Sequence, residues 1–221
     1  VTDAAAGDGP RLRLLAFSGP GLDRVLLGEP RDGEHENLET LIAAHAGGAG
    51  RADVSIVPTP SSDRLAAELA RYDDLGDVDV VVLWIGSALT EADEIGPDLG
   101  DRFFEHVTAA VEVVKSAGSR VLLVTGSTVV TGVEPSAARA LSLAIARLDL
   151  ASIRLSIAHG LSLIDVDRTI AELGADAHVE GVLAYSAVAS RAIRHELLRV
   201  LDEYGFFDDR SLLEQVGQAA R

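Results

Sequence analysis

The feature that most constrains the fold is the stretch from Val78 to Gly86, which reads Val-Asp-Val-Val-Val-Leu-Trp-Ile-Gly. β-Branched and large apolar residues follow one another there without the polar gaps of a surface helix, and a glycine closes the run. This is how a strand buried on both faces reads. Such a strand belongs in the middle of a parallel sheet covered by helices. In sheets of that kind ligands bind in the crevice beyond the carboxyl ends of the strands, so chemistry is expected near Gly86.

The rest of the chain supplies partners for that strand. Residues 11–17 carry Leu12, Leu14 and Leu15 and stop at Ser18-Gly19-Pro20-Gly21, which marks a first strand. Residues 28–36 read as an exposed acidic loop, and Asn37 caps a helix that runs to about Ala46. Ala52 to Val57 is a second strand, closed by Pro58-Thr59-Pro60; Ser61 or Ser62 then caps a helix with Leu65, Ala66, Leu69 and Ala70 on one face. After the central strand comes a polar loop, Ser87 to Gly100, and Asp101 opens a helix with Phe104, Val107, Val111 and Val114 at helical spacing. Arg120 to Thr125 is a fourth strand, Ser136 to about His159 a long helix, and Leu161 to Val166 a fifth strand. A loop from Gly174 to Gly181 leads to a last helix, Leu183 to Tyr204.

Strands alternating with helices imply right-handed crossovers. The expected fold is a three-layer α/β/α sandwich around a five-stranded parallel sheet in flavodoxin-like order. Residues 1–10 are expected to be a disordered leader, and residues 11–221 a single domain with a helical C-terminal extension from about residue 205.

Composition then narrows the functions. With 221 residues, 48% of them hydrophobic, one full core can be buried. A net charge of −16 lacks the cationic footprint that phosphate backbones require, so neither nucleic acid nor an anionic membrane is expected as a partner. No cysteine is present, which removes thiolate nucleophiles, thiolate metal sites and disulfides. No apolar run reaches the roughly 18 residues of a membrane span. The scattered histidines His35, His45, His106, His159 and His195 show no metal-ligand spacing. Neither a metal nor any other cofactor is expected. With no signal pattern visible, the expected compartment is the cytoplasm rather than the exterior.

Three places stand at strand ends: Ser18, then Gly86-Ser87-Ala88, then Asp176 with His178. With the element order, this arrangement resembles the SGNH (GDSL-type) hydrolases, from about Arg11 to Leu201. The likeness is strongest over Leu161 to Val188, where Leu-Ile-Asp-Val-Asp, Asp-Ala-His-Val-Glu-Gly and Ala-Tyr-Ser-Ala-Val-Ala match the family's fifth strand, histidine loop and final helix. The motifs depart from the family's pattern in places. Ala16-Phe17-Ser18 stands where the family has Gly-Asp-Ser. No glycine lies near Pro58 to Ser62 for the second block. Ala88 replaces the third block's asparagine, and Ala175 occupies the aspartate position three residues before His178, with Asp176 one place later.

What the resemblance implies is a serine-dependent ester hydrolase or acyltransferase acting on a small or lipid-like acyl substrate. Ser18 would be the nucleophile, His178 the base and Asp176 its orienter. Gly86, Ser87, Ala88, Ser61 and Ser62 would lie around the oxyanion. Serine hydrolysis needs a base within reach of the hydroxyl, a group that orients the base, and donors aimed at the developing charge. Loss of the asparagine removes one such donor, a change worth on the order of 100- to 1000-fold in rate. A second expectation keeps the fold without esterase chemistry, as a ligand-binding or otherwise repurposed enzyme, since fold does not fix function. Asp165 and Asp167 read as structural or solvated, and Trp84 as core.

Overall fold

The computed structural model describes residues 11–18, 23–28, 37–45, 52–84, 95–179 and 184–207. In chain order the elements are β1 (Leu12–Ser18), α1 (Asp23–Leu27), α2 (Leu38–His45), β2 (Ala52–Pro58), α3 (Ser62–Leu69), β3 (Val80–Trp84), α4 (Leu99–Ser116), β4 (Arg120–Val124), α5 (Pro135–His159), β5 (Ser162–Ile164), α6 (Val166–Ile170) and α7 (Ala187–Glu203). Among the described residues the strands form one five-stranded parallel sheet in the order β2-β1-β3-β4-β5. The expected three-layer architecture and strand order are both observed.

The sheet grows leftward once, from β1 to β2, and rightward thereafter. Right-handed crossovers therefore send α1 and α2 to one face and α3, α4 and α5 to the other. The packing agrees: α3 lies on α4 and α4 on α5, while α7 meets α1, α2 and α6. Every residue of β3 is buried, Trp84 included, as expected for a strand covered on both faces. Each such side chain contributes roughly 1.5 to 3 kcal/mol of transfer free energy. Leu14, Leu15, Val81, Leu122, Leu123 and Ile164 continue this core along neighbouring strands.

Local signals explain most of the boundaries. The Asn37 side chain accepts a hydrogen bond from the Thr40 N–H at 2.7 Å, capping α2 as expected. At the end of α5, Gly160 takes the left-handed conformation (φ 63°), and its N–H returns to the Ser156 carbonyl. A Cβ at Gly100 would lie 3.0 Å from the Arg147 carbonyl oxygen, so this glycine lets α4 and α5 cross closely.

Several boundaries differ from the sequence reading. β5 ends at Ile164 rather than Val166, because the Asp165 carboxylate accepts the Arg168 N–H at 3.0 Å and starts the short helix α6. α4 begins at Leu99, two residues before Asp101, and α7 begins at Ala187, where the Ser186 hydroxyl accepts the Ala189 N–H. The short α1 was not read from the sequence. The leader at 1–10, the acidic loop at 29–36 and the extension beyond residue 207 lie outside the described residues.

Candidate active site

Ser18 is the last residue of β1, in register with Pro58 of β2 and only 4% exposed. Its carbonyl accepts the Thr59 N–H at 3.0 Å, which ties the end of β1 to the turn leading into α3. Gly86, Ser87 and Ala88 lie outside the described residues. Ser61 and Ser62 stand three to four residues beyond Pro58, at the N-terminus of α3. Ser61 is the N-cap, but its hydroxyl serves Asp63. That bond, with Arg64 and His106 adding to it against partial desolvation, holds the Asp63 carboxyl below its ordinary range. The Ser62 hydroxyl meets Nδ1 of His106 in α4 at 3.1 Å, both residues being half-buried. Sequence reasoning had left His106 without a role.

The histidine loop is held from both sides. Asp176, exposed, and Ala177 end a 3-10 stretch, Ala171–Ala177, that bends at Gly174 (φ 53°). His178 then forms an antiparallel bridge with Tyr185, flanked by hydrogen bonds from Val179 N–H to Ala184 at 3.1 Å and from Ser186 N–H to Ala177 at 2.9 Å. The imidazole lies 6.0 Å from the Tyr185 ring, which in turn lies 6.5 Å from Trp84 at the end of β3. Aromatic packing thus links the loop to the sheet centre. Among the described residues no hydrogen bond joins the His178 ring to Ser18 or to Asp176.

His178 opens onto a cavity of about 560 Å³ whose walls include Val129, Thr131, Asp167, Ile170 and Val179. The Thr131 hydroxyl donates to the Val179 carbonyl at 2.8 Å, closing one side. Most of this surface is aliphatic. An acyl or other apolar chain fits such walls better than a charged group.

Beneath the cavity, at the ends of β4 and β5, lies a polar cluster the sequence did not reveal. Asp167 accepts from the Ser127 hydroxyl at 2.6 Å, the Thr128 hydroxyl at 2.5 Å and the Thr128 N–H at 3.1 Å. Asp149 of α5 accepts the Gly126 N–H at 3.2 Å. Burial pushes its carboxyl from 3.8 to about 7, the charges of Asp167 and Asp165 adding to the rise and the Gly126 bond opposing it. Burial pushes the pKa of the Tyr185 hydroxyl above the ordinary phenol range and keeps it protonated; the Ser127 N–H opposes that shift without meeting hydrogen-bond geometry. Asp165 caps α6, and Asp167 gathers the hydroxyls of Ser127 and Thr128 beside the cavity.

No protein-family model matches this sequence, and no curated protein matches it. Solved structures do. A member of the lipolytic G-D-S-L family from Veillonella parvula superposes with a TM-score of 0.60 over 86% of this chain and 98% of its own, at 12% identity. The fold is that of the SGNH/GDSL hydrolases. A lipase/acylhydrolase from Enterococcus faecalis (TM-score 0.64, 17% identity, 87% of this chain and 96% of its own) shares it. So does the acetyl xylan esterase AlAXEase (TM-score 0.63, 14% identity, 86% and 100%). On this scaffold Ser18 ends β1 and His178 lies in the loop before the last helix.

Proposed function

We propose that the protein is a serine-dependent ester hydrolase or acyltransferase of SGNH type acting on a small or lipid-like acyl substrate. The observation that carries this reading is the placement of Ser18 on the last residue of β1, on a scaffold whose histidine loop opens His178 onto an aliphatic cavity. The Ser18 hydroxyl attacks the ester carbonyl and passes its proton to His178. The tetrahedral intermediate collapses, the C–O bond to the alcohol breaks, and His178 returns the proton to that alcohol. Water, or a second alcohol, then accepts the acyl group by the reverse sequence, with His178 again taking the proton. Asp176, solvent-exposed two residues before His178, is the orienter in this reading. Backbone N–H groups at the strand ends serve the oxyanion in place of the absent asparagine side chain.

A second reading is favoured by one specific contact. Ser62 already shares a hydrogen bond with His106 at 3.1 Å, at the turn joined to Ser18 through Thr59. In that reading Ser62 is the activated hydroxyl and Ser18 a structural strand end. A fluorophosphonate probe, read by intact mass and then mapped by peptide, separates the two. The first reading expects one adduct on Ser18, lost in Ser18→Ala and His178→Ala, with ester turnover falling on the order of 10⁴-fold or more. An adduct on Ser62 that persists in Ser18→Ala and vanishes in His106→Gln establishes the second. A folded wild type that takes no adduct identifies a scaffold repurposed for other chemistry.

A further inference from the structure

α5 is apolar on two faces. Its inner face, Ala144, Ile145, Leu148, Ala151 and Leu155, is buried against the sheet and α4. Its outer face displays Leu143 at 53% exposure, Leu150 at 62%, Ile153 at 42% and Ile157 at 79%. Leu143, Leu150 and Ile157 are seven residues apart, and Ala146 and Ile153 fall between them at the alternate positions. Apolar residues at that 3-4-3-4 spacing form the seam by which one helix packs on another. The helix is also rigidly presented. Its Arg147 donates to the Gly96 carbonyl at 2.9 Å, Arg154 pairs with Asp101 at 2.7 Å and stacks on Phe104, and Gly100 permits the close crossing. Four large apolar side chains on one outer face exceed the scattered singles of an ordinary surface.

Charge selects the occupant. The chain carries 35 carboxylates in 221 residues and a net charge of −16, so two copies repel over most of their surfaces. The 25 residues of α5 hold one carboxylate, Asp149, and it is turned inward to Gly126. Of the arginines in α5, Arg154 is neutralised within its own chain by Asp101. This is a face on which one molecule can meet another of its kind without opposing acids. We propose that α5 packs antiparallel on α5 of a second copy about a two-fold axis at Leu150. That axis places Leu150 against its counterpart, Leu143 against Ile157, and Ile153 over the small Ala146. It also sets the two Arg139 side chains apart, each beyond the other copy's helix end, roughly 33 Å from one another at 1.5 Å per residue. The contact is isologous and closes as a dimer.

Sedimentation velocity at ~100 μM chain, above the dissociation constant of a specific dimer, is expected to show a particle of twice the 23.1 kDa chain mass. Leu150→Glu sets two carboxylates face to face on the axis and is expected to return it to the monomer with the far-UV circular dichroism of the folded chain retained, its melt losing the concentration dependence that dimerisation gives the wild type. Because the chain has no cysteine, Leu150→Cys reports the axis directly. It is expected to form a disulfide-linked dimer on mild oxidation, whereas Leu143→Cys alone does not and Leu143→Cys with Ile157→Cys does. A monomeric wild type overturns the proposal, as does a dimer indifferent to Leu150→Glu. So does a monomer that dimerises only when shortened to end at Phe207, because residues 208–221 would then be the cover of this face.

Discussion

The carboxyl end of the sheet has two halves that use polar side chains in opposite ways. Over β4 and β5, polar groups are joined within the fold: Ser127 and Thr128 serve Asp167, the Thr125 hydroxyl accepts the Val166 N–H at 2.9 Å, and Asp149 takes the Gly126 N–H. Over β1 and β2, the serines stand at a strand end and a helix start, and one of them touches an imidazole. Satisfied groups fix geometry. A hydroxyl at a strand's carboxyl end faces the crevice where such sheets bind ligands. The first half therefore reads as the frame that holds the histidine loop and its cavity, and the second as the place where a nucleophile belongs.

The sharpest way to break that comparison is to remove the frame's central acceptor. Asp167→Ala leaves two hydroxyls and one N–H without their common partner, Ser127 being fully buried. The expected loss is about 3 kcal/mol of unfolding free energy. Asp167→Asn, which keeps one acceptor oxygen, should recover about half of this, and urea melts of both variants check it. If instead Asp167→Ala melts like wild type while turnover falls, the cluster is chemistry and the division is wrong.

Asp149 gives the next largest effect, and its sign is set by burial. In the unfolded chain this carboxyl gives up its proton near 3.8, whereas in the folded state it holds the proton to about 7. Between those values the folded state binds a proton that the unfolded state has released. Stability therefore falls as pH rises through the window, and the penalty stays constant above it. The interval is worth about 4 kcal/mol in full, and solvent reaching one side of the carboxyl brings the expected effect to about 2 kcal/mol. Asp149→Asn keeps an acceptor for Gly126 and should therefore outlast wild type at pH 8 by about that amount, with little difference at pH 4. Paired denaturant melts at the two pH values read it. An equal gain or loss at both would show that the carboxyl is not the source.

How much of this was legible in the sequence follows from what each feature depends on. The run from Val80 to Trp84 needs burial on both faces, and hydropathy alone reveals that; alternation gives the parallel sheet, and the strand order came with the SGNH resemblance. β5 was read too long because Asp165-Val166-Asp167 continues an apolar alternation. What ends the strand is a carboxylate turning back to the Arg168 N–H, a choice hydropathy does not record. The placement of Ser18 at the end of β1 and of His178 before the last helix was legible because element order fixes where strand ends and loops fall. The Asp167 cluster joins residues about forty positions apart across β4 and β5, and no local pattern announces it. His106 is similar, 44 residues from Ser62 and meeting it only because α3 lies along α4.

That last contact carries the smallest prediction and the finest test of the comparison. If Ser62 and His106 are merely a bridge between two helices, Ser62→Ala removes one half-buried hydrogen bond, at about 1 kcal/mol, and leaves ester turnover unchanged. His106→Gln, which keeps a side-chain acceptor, should cost less still. If the pair is a working base and hydroxyl, the order reverses: stability barely moves, while turnover falls with both variants. Measuring melting and turnover on the same two proteins therefore assigns this contact to the frame or to the chemistry. We expect the first outcome. The α3 N-terminus resembles the β4–β5 half in this respect, with Ser61 engaged by Asp63 and Ser62 by His106.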